Sequence, residues 1–401
     1  MLPPPFAWAG VDWSMSAHQV CLLRPHAKAL QRSFPHSAAG LQEMVAWLAS
    51  EAGCEPAALY TAIEVPHGPV VSALLAAGFS TFSINPKQLD RFRDRRSLAG
   101  AKDDRRDALT LADSLRTDLP AFSEVTLPDD LILAIRGASR RRDTLLADSR
   151  RFANRLRQML WAAFPDVLTL CSAADEPWLW TLLERLTASC GRPLRKATLQ
   201  KILADHRKRN VSPAALAAAL DSPPVASGAT LQTILDDIAS LLPQLRSAHA
   251  ALVATDARLS TLLDQAGETA RILDSMPGID RTLAAVFLAE APEAIQLADL
   301  QALRSLAGTA PVTLQSGKSR AVHIRRACSM RLRNAVRHWA RTAARCAPWT
   351  RAHYLAMRQR GLSHERALRG IADLLLTRLV ACLRNRTPYD PALASRRELP
   401  A

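Results

Sequence analysis

Apolar and polar residues alternate through the first 120 positions. Trp8–Ser14 and Ala17–Leu23 are apolar runs joined by a tight polar turn, and a third short strand at Leu30–Phe34 would complete a meander. The spacing then changes, since Leu41–Leu48 sets Met44, Val45 and Leu48 on one face of a helix. A strand at Ala58–Val65, a helix at Pro69–Ala77, a short strand at Ser80–Ile84 and Arg-rich helical segments from Pro86 to Thr117 follow. Strands interleaved with helices predict an α/β domain, a mixed sheet with helices packed on its faces.

From about Asp130 to Leu263 the pattern is helical, with turn signals at Cys190–Pro193, Ser212–Pro213 and Asp221–Gly228. Its last part keeps a spacing of three and four through Ile238, Leu241, Leu245, Ala248, Leu252, Thr255, Leu259 and Leu262. This seam suits either a coiled-coil pairing or an ordinary bundle helix, and Pro243 is expected to kink or start the helix. A third region opens with SMPGIDRTLAAVFLAE, a Pro-Gly turn before an apolar helix, as in helix-hairpin-helix elements that offer backbone N–H groups to phosphate. The resulting division is 1–125, an α/β domain; 126–269, a mainly α-helical or coiled-coil region; 270–390, a mainly α C-terminal domain; and 391–401, a disordered tail.

Composition narrows the class. The 48% apolar and 22% charged residues of this 401-residue chain are globular values. Seven scattered cysteines without a C-x-x-C pair argue against a disulfide framework or zinc knuckle and fit a reducing compartment. No window approaches the ~18 apolar residues of a membrane span, so a soluble cytoplasmic protein is expected. The net charge of +15 is unevenly placed: between Asp299 and Glu365 there is no acidic residue, while thirteen Lys and Arg occur. A second basic run, from Arg136 to Arg157, includes Arg140, Arg141 and Arg142. Like charges three or four residues apart on a helix repel, so these runs call for a polyanion, and nucleic acid is the obvious one.

Four carboxylates stand out. Asp12 lies in the first apolar strand and Glu64 at the end of another, while Asp104 and Asp107 are three apart and share a helix face. A carboxylate near a sheet's interior is costly unless paired or bound to a cation, and a divalent metal would account for all four. Taken singly, each has a structural explanation: a strand end, an ion pair with arginine, or a helix N-terminal acid. Ser316, in TLQSGKSR, reads by itself as a turn serine beside Gly317.

GVDWS around Asp12, AIEVP around Glu64 and K-x-D-x-x-D-A at Lys102–Ala108 resemble the DEDD transposases of bacterial insertion-sequence family one-ten. SMPGIDRTLAAVFLAE, LRSLAGTAPVTLQSGKSR and the basic helix after them resemble that family's second transposase domain. The resemblance covers residues 5–120 and 270–385. It implies a RuvC-like, ribonuclease H-like first domain, with Asp12, Glu64, Asp104 and Asp107 holding Mg²⁺ (or Mn²⁺). It implies that Ser316 attacks DNA and forms a transient phosphoserine link, with Ser319 as near competitor and Ser329 as a remote one. Further implications are DNA as donor and target, a structured non-coding bridge RNA that chooses the site, and a homodimer or homotetramer. Lys102, Arg105, Arg106, Arg140, Arg141, Arg142, Lys318, Arg320, Arg325, Arg326, Arg331 and Arg333 are the expected nucleic-acid contacts. The competing readings are a metal-dependent junction-resolving or ribonuclease H-like endonuclease in which water attacks, and a nucleic-acid-binding protein without chemistry.

Overall fold

The computed structural model describes residues 3–96, 103–126, 129–316 and 319–392. They form two units, Met1–Pro128 and Asp129–Ala401. The expected contacts Lys102 and Lys318, and most of the expected tail at 391–401, lie outside the described residues.

In the first unit the three-strand meander is present as β1 (Ala7–Asp12), β2 (Ala17–Leu23) and β3 (Leu30–Pro35), followed by α1 (Ala38–Ala52). Then come β4 (Leu59–Ile63), α2 (Pro69–Ala76), β5 (Ser80–Ser83), α3 (Pro86–Arg96), α4 (Asp104–Thr117) and β6 (Ser123–Glu124). The sheet runs β3-β2-β1-β4-β5-β6. β1 pairs in parallel with β4 and β4 with β5, whereas the β1–β2, β2–β3 and β5–β6 pairings are antiparallel.

The side-chain period of two assigns the faces. Ala7, Ala9, Val11, Leu59 and Ile63 pack with Met44 and Leu48 of α1 and Val71 and Leu74 of α2. Tyr60, Ala62 and Phe82 turn the other way, onto Leu111 and Leu115 of α4. Gly10 sets the distance on that side. A β-carbon there would stand 2.0 Å from the carbonyl oxygen of Ala108 and 2.6 Å from the amide nitrogen of Ala112, so only glycine lets α4 lie this close to β1.

The second unit is helical except for one hairpin among the described residues. α5 (Asp130–Ala163) is followed by the short α6 (Pro165–Thr169), α7 (Pro177–Ala188), α8 (Lys196–Asp205) and α9 (Pro213–Asp221), then by α10 (Gly228–Gln265). α11 (Gly267–Ser275), α12 (Arg281–Glu290), α13 (Pro292–Gln296) and α14 (Leu300–Leu306) lead to strands β7 (Pro311–Ser316) and β8 (Ser319–Ile324). α15 (Met330–Cys346), α16 (Pro348–Gln359) and α17 (His364–Asn385) complete it.

Two cores lie along the long helices. Leu156 and Leu160 of α5 and Ile238, Leu241 and Leu245 of α10 bury Trp178, Trp180 and Leu183 of α7. Ile135 of α5 and Leu259 and Leu263 of α10 join a second core around Phe287, Trp339, Ile371 and Leu375. The α10 seam therefore packs inside this unit, partly against α5. α10 also runs through Pro243, which neither starts it nor ends it. The apolar positions on both sides of the proline are buried, and that burial outweighs the hydrogen bond it removes. The Pro-Gly turn joins α11 to α12 as expected. Asp280 caps α12, its carboxylate accepting from the Leu283 N–H at 2.8 Å, and the indole N–H of Trp339 donates to the carbonyl of Pro277 at 2.9 Å.

Candidate active site and basic surfaces

Asp12 is the last residue of β1, and Glu64 follows the last residue of β4, which pairs with β1 through Val11 and Ile63. Both acids share the period-two face that meets α4. Asp104 and Asp107 lie in the first turn of α4, where negative charge is favourable to the helix. Asp103, the residue inside K-x-D, caps the helix instead: its carboxylate accepts from the Arg106 N–H at 2.9 Å. Asp104 is exposed, Asp107 is buried, and Asp12 and Glu64 are half-buried.

The four acids feel one another. The Asp12 carboxyl is pushed up to about 6, by burial first and then by the charges of Asp107, Asp104 and Glu64, against a smaller opposing effect of Arg93. Arg93, on α3, grips Asp107 with two hydrogen bonds of 2.7 and 2.9 Å, the planar fork on a carboxylate. It also pairs with Asp90. The sequence pattern gave no sign of Arg93 among its neighbours in RFRDRR, because its partner lies fourteen residues away on the next helix. Among the described residues, no three His, Cys, Asp or Glu side chains stand close enough together to hold a metal ion. The donor set itself is all carboxylate oxygen, which suits Mg²⁺ or Mn²⁺.

Ser316 belongs to the second unit. It ends β7, exposed, and pairs across the hairpin with Ser319. Ser329 is occupied as the cap of α15, accepting from the Leu332 N–H and donating to Glu290 at 3.2 Å.

The basic runs need a correction. Arg331 pairs with Asp143 at 2.6 Å and with Glu290 at 3.1 Å, and donates to the hydroxyl of Ser139 at 2.6 Å, so its guanidinium is spent inside the fold. Arg140 also pairs with Glu290, and Arg142 with Asp256. Burial would raise the Glu290 carboxyl, but Arg331 and Arg140 hold it below its ordinary range. Arg325 donates to the carbonyl of Ala327, and Arg333 to that of Arg325. Within the acid-free interval, Arg304 is neutralised by Asp373 and Arg337 by Glu365. The absence of local acids therefore did not require a polyanion at every arginine. Arg105, Arg106, Arg141 and Arg326 are exposed, with Arg106 paired to Asp103.

Two family models match the chain: one described as "Transposase" over residues 9–165 and one described as "Transposase IS116/IS110/IS902 family" over residues 270–355. A protein of Sinorhizobium fredii named "Putative transposase y4uE" is 41% identical over 222 residues, which span 55% of this chain and 59% of that relative. A Streptomyces coelicolor protein named "Mini-circle putative transposase for IS117" is 28% identical over 96% of this chain and 95% of its own length. A second protein of that organism, named for insertion element IS110, is 29% identical over 75% of each.

Proposed function

Because the chain belongs to the IS116/IS110/IS902 family of transposases, we propose that it cuts and rejoins the DNA of an insertion sequence at a site made of four carboxylates and a serine. The observation that carries this reading is the convergence of Asp104 and Asp107 of α4 on Asp12 and Glu64 at the strand ends, whose charges add to burial in pushing the Asp12 carboxyl up to about 6. The sheet order β3-β2-β1-β4-β5, with three antiparallel strands leading into parallel ones, supports a ribonuclease H-like, RuvC-like domain.

In this reading Asp12, Glu64, Asp104 and Asp107 hold Mg²⁺ or Mn²⁺, which supplies positive charge at the scissile phosphate when bound. Arg93 lends cationic charge to the same acids through its two hydrogen bonds to Asp107. Ser316 attacks phosphorus: its Oγ–P bond forms, the P–O bond to the leaving sugar oxygen breaks, and the serine proton is lost as that oxygen gains one. Reversal at a second strand end reseals DNA without net hydrolysis, the phosphoserine link conserving bond energy. The partners are donor and target DNA, a structured non-coding RNA that selects the site by base pairing, and further copies of the chain. No described helix is long and apolar enough to cross a membrane.

The fact that all four carboxylates lie in one unit and Ser316 in the other favours a second reading, an endonuclease in which water attacks. The gene with its native flanks on a plasmid decides between them, by amplification across the excised circular junction. Wild type should give junctions, and Asp104→Ala and Ser316→Ala should give none. Junctions at wild-type level from Ser316→Ala would overturn the serine mechanism in favour of the nuclease, and junctions at that level from Asp104→Ala would overturn the carboxylate site.

A further inference from the structure

β7 and β8 form one wall of a cavity of about 1100 Å³ in the second unit. Its lining gathers Arg326, Arg333, Arg366 and Arg369 with His323 from separate stretches of sequence. Arg304 also reaches it but is cancelled by Asp373, through two hydrogen bonds of 2.6 and 2.7 Å. Arg333 lies under Gly308, where a β-carbon would stand 2.7 Å from the guanidinium. Among the described residues no ion pair neutralises Arg326, Arg366 or Arg369, and the nearby Glu365 is taken by Arg337. Burial, then the charges of Arg366 and Arg333, hold the Arg369 guanidinium below its ordinary range, against a smaller effect of Glu365. Cations crowded in a cleft repel, and an anion removes the repulsion.

We propose that this cavity seats a single-stranded stretch of nucleic-acid backbone whose phosphates are taken by Arg326, Arg366 and Arg369. The inference rests on the transposase reading for the identity of the polyanion. Guanidinium forks match phosphate oxygens in pairs. A volume of 1100 Å³ corresponds to roughly 13 Å across, about the width of a single B-DNA groove (about 12 Å) rather than of the whole duplex, so the cleft suits one strand. Val322 and Ile324, 61% and 49% exposed on the same wall, offer unpaired bases an apolar shelf.

The test uses the full chain and the double variant Arg366→Gln with Arg369→Gln. Binding of an oligonucleotide of one sequence is followed across a salt series as single-stranded RNA, single-stranded DNA and duplex DNA. Each phosphate contact on a single strand contributes about −0.7 to the slope of log K against log salt, so two lost contacts should flatten that slope by roughly 1.4. The duplex slope should not change. A drop with RNA alone or with DNA alone supports the cavity and names its strand. An unchanged single-strand slope, or an equal drop with duplex, overturns it. The variant removes mutually repelling charges, so its melting midpoint should equal or exceed that of wild type. Independently of the variant, a wild-type chain whose melting midpoint is not raised by the single strand also overturns the proposal. Excised junctions without a slope difference would sink the cavity and leave the transposase reading standing, and a slope difference without junctions would do the reverse.

Discussion

In the first unit, carboxylates from two strand ends and one helix crowd together, and burial together with their charges raises the Asp12 carboxyl well above its ordinary range. In the second unit, arginines that look uncompensated along the chain are met by Asp143, Glu290, Asp256, Asp373 and Glu365. One region leaves like charges together and the other dissolves most of its apparent excess. Charge that folding leaves unpaired is therefore a better guide to function than charge that is merely dense in sequence. By that measure the acid cluster and the three unpaired arginines of the cavity stand out, whereas Arg331 belongs to the scaffold.

The comparison can be broken at Gly10. In Gly10→Ala the new methyl group meets the Ala108 carbonyl, α4 moves off β1, and Asp104 and Asp107 leave Asp12. The expected cost is about 3 kcal/mol, at the upper end of overpacking effects, with excision falling by on the order of 10²-fold or more. Thermal unfolding and junction yield check this, and a variant with wild-type values of both would show that the close approach is dispensable.

Arg331→Ala comes next in size. It takes one of two guanidiniums from the Glu290 carboxylate, whose side chain is 10% exposed, leaves Arg140 and the Ser329 hydroxyl to hold it, frees Asp143 and Ser139, and should cost about 1.5–2 kcal/mol. Arg337→Ala, in the half-exposed pair with Glu365, should cost under about 0.5 kcal/mol. Denaturant midpoints for the two variants side by side measure the contrast, and equal losses would erase the distinction between scaffold and surface arginines.

The smallest effect sharpens the acidic side. The Asp12 carboxyl is raised from 3.8 to about 6, so the folded protein binds a proton that the unfolded chain has released. The stabilising contribution of that proton is full below about pH 3.8 and is lost as pH rises through about 6. With chelator present, Asp12→Asn should therefore raise the melting midpoint at pH 8 and change it less at pH 5. Equal shifts at the two pH values would mean that Asp12 does not titrate between them.

Much of the first unit was legible before folding was considered. The two-residue period located its main strands, the change to three-and-four spacing located α1 and α2, and the family motifs singled out Asp12, Glu64, Asp104 and Asp107. β4 stops one residue before Glu64, a difference within the ordinary blur of strand ends. The β7–β8 hairpin was missed, because Val322 and Ile324 are exposed and their alternation does not mark a buried face. Arg93 was missed because its partner is on another helix, and the arginines of the cavity because no spacing joins residues 326, 366 and 369.

Apart from the β7–β8 hairpin, the main elements and their amphipathic faces were already written in the chain, since these follow from neighbours within a few positions and from the periods of strand and helix. The sequence also determined that the chain is cationic and that Gly10 carries no side chain. Tertiary structure alone decided which acids share a field, which arginines are neutralised across as many as 188 residues and which remain, among the described residues, without an ion pair around a cavity. The physical reason is range. Hydrophobic periodicity is written along the chain, whereas Coulombic pairing depends on distance in space, which only the packed helices and sheet define.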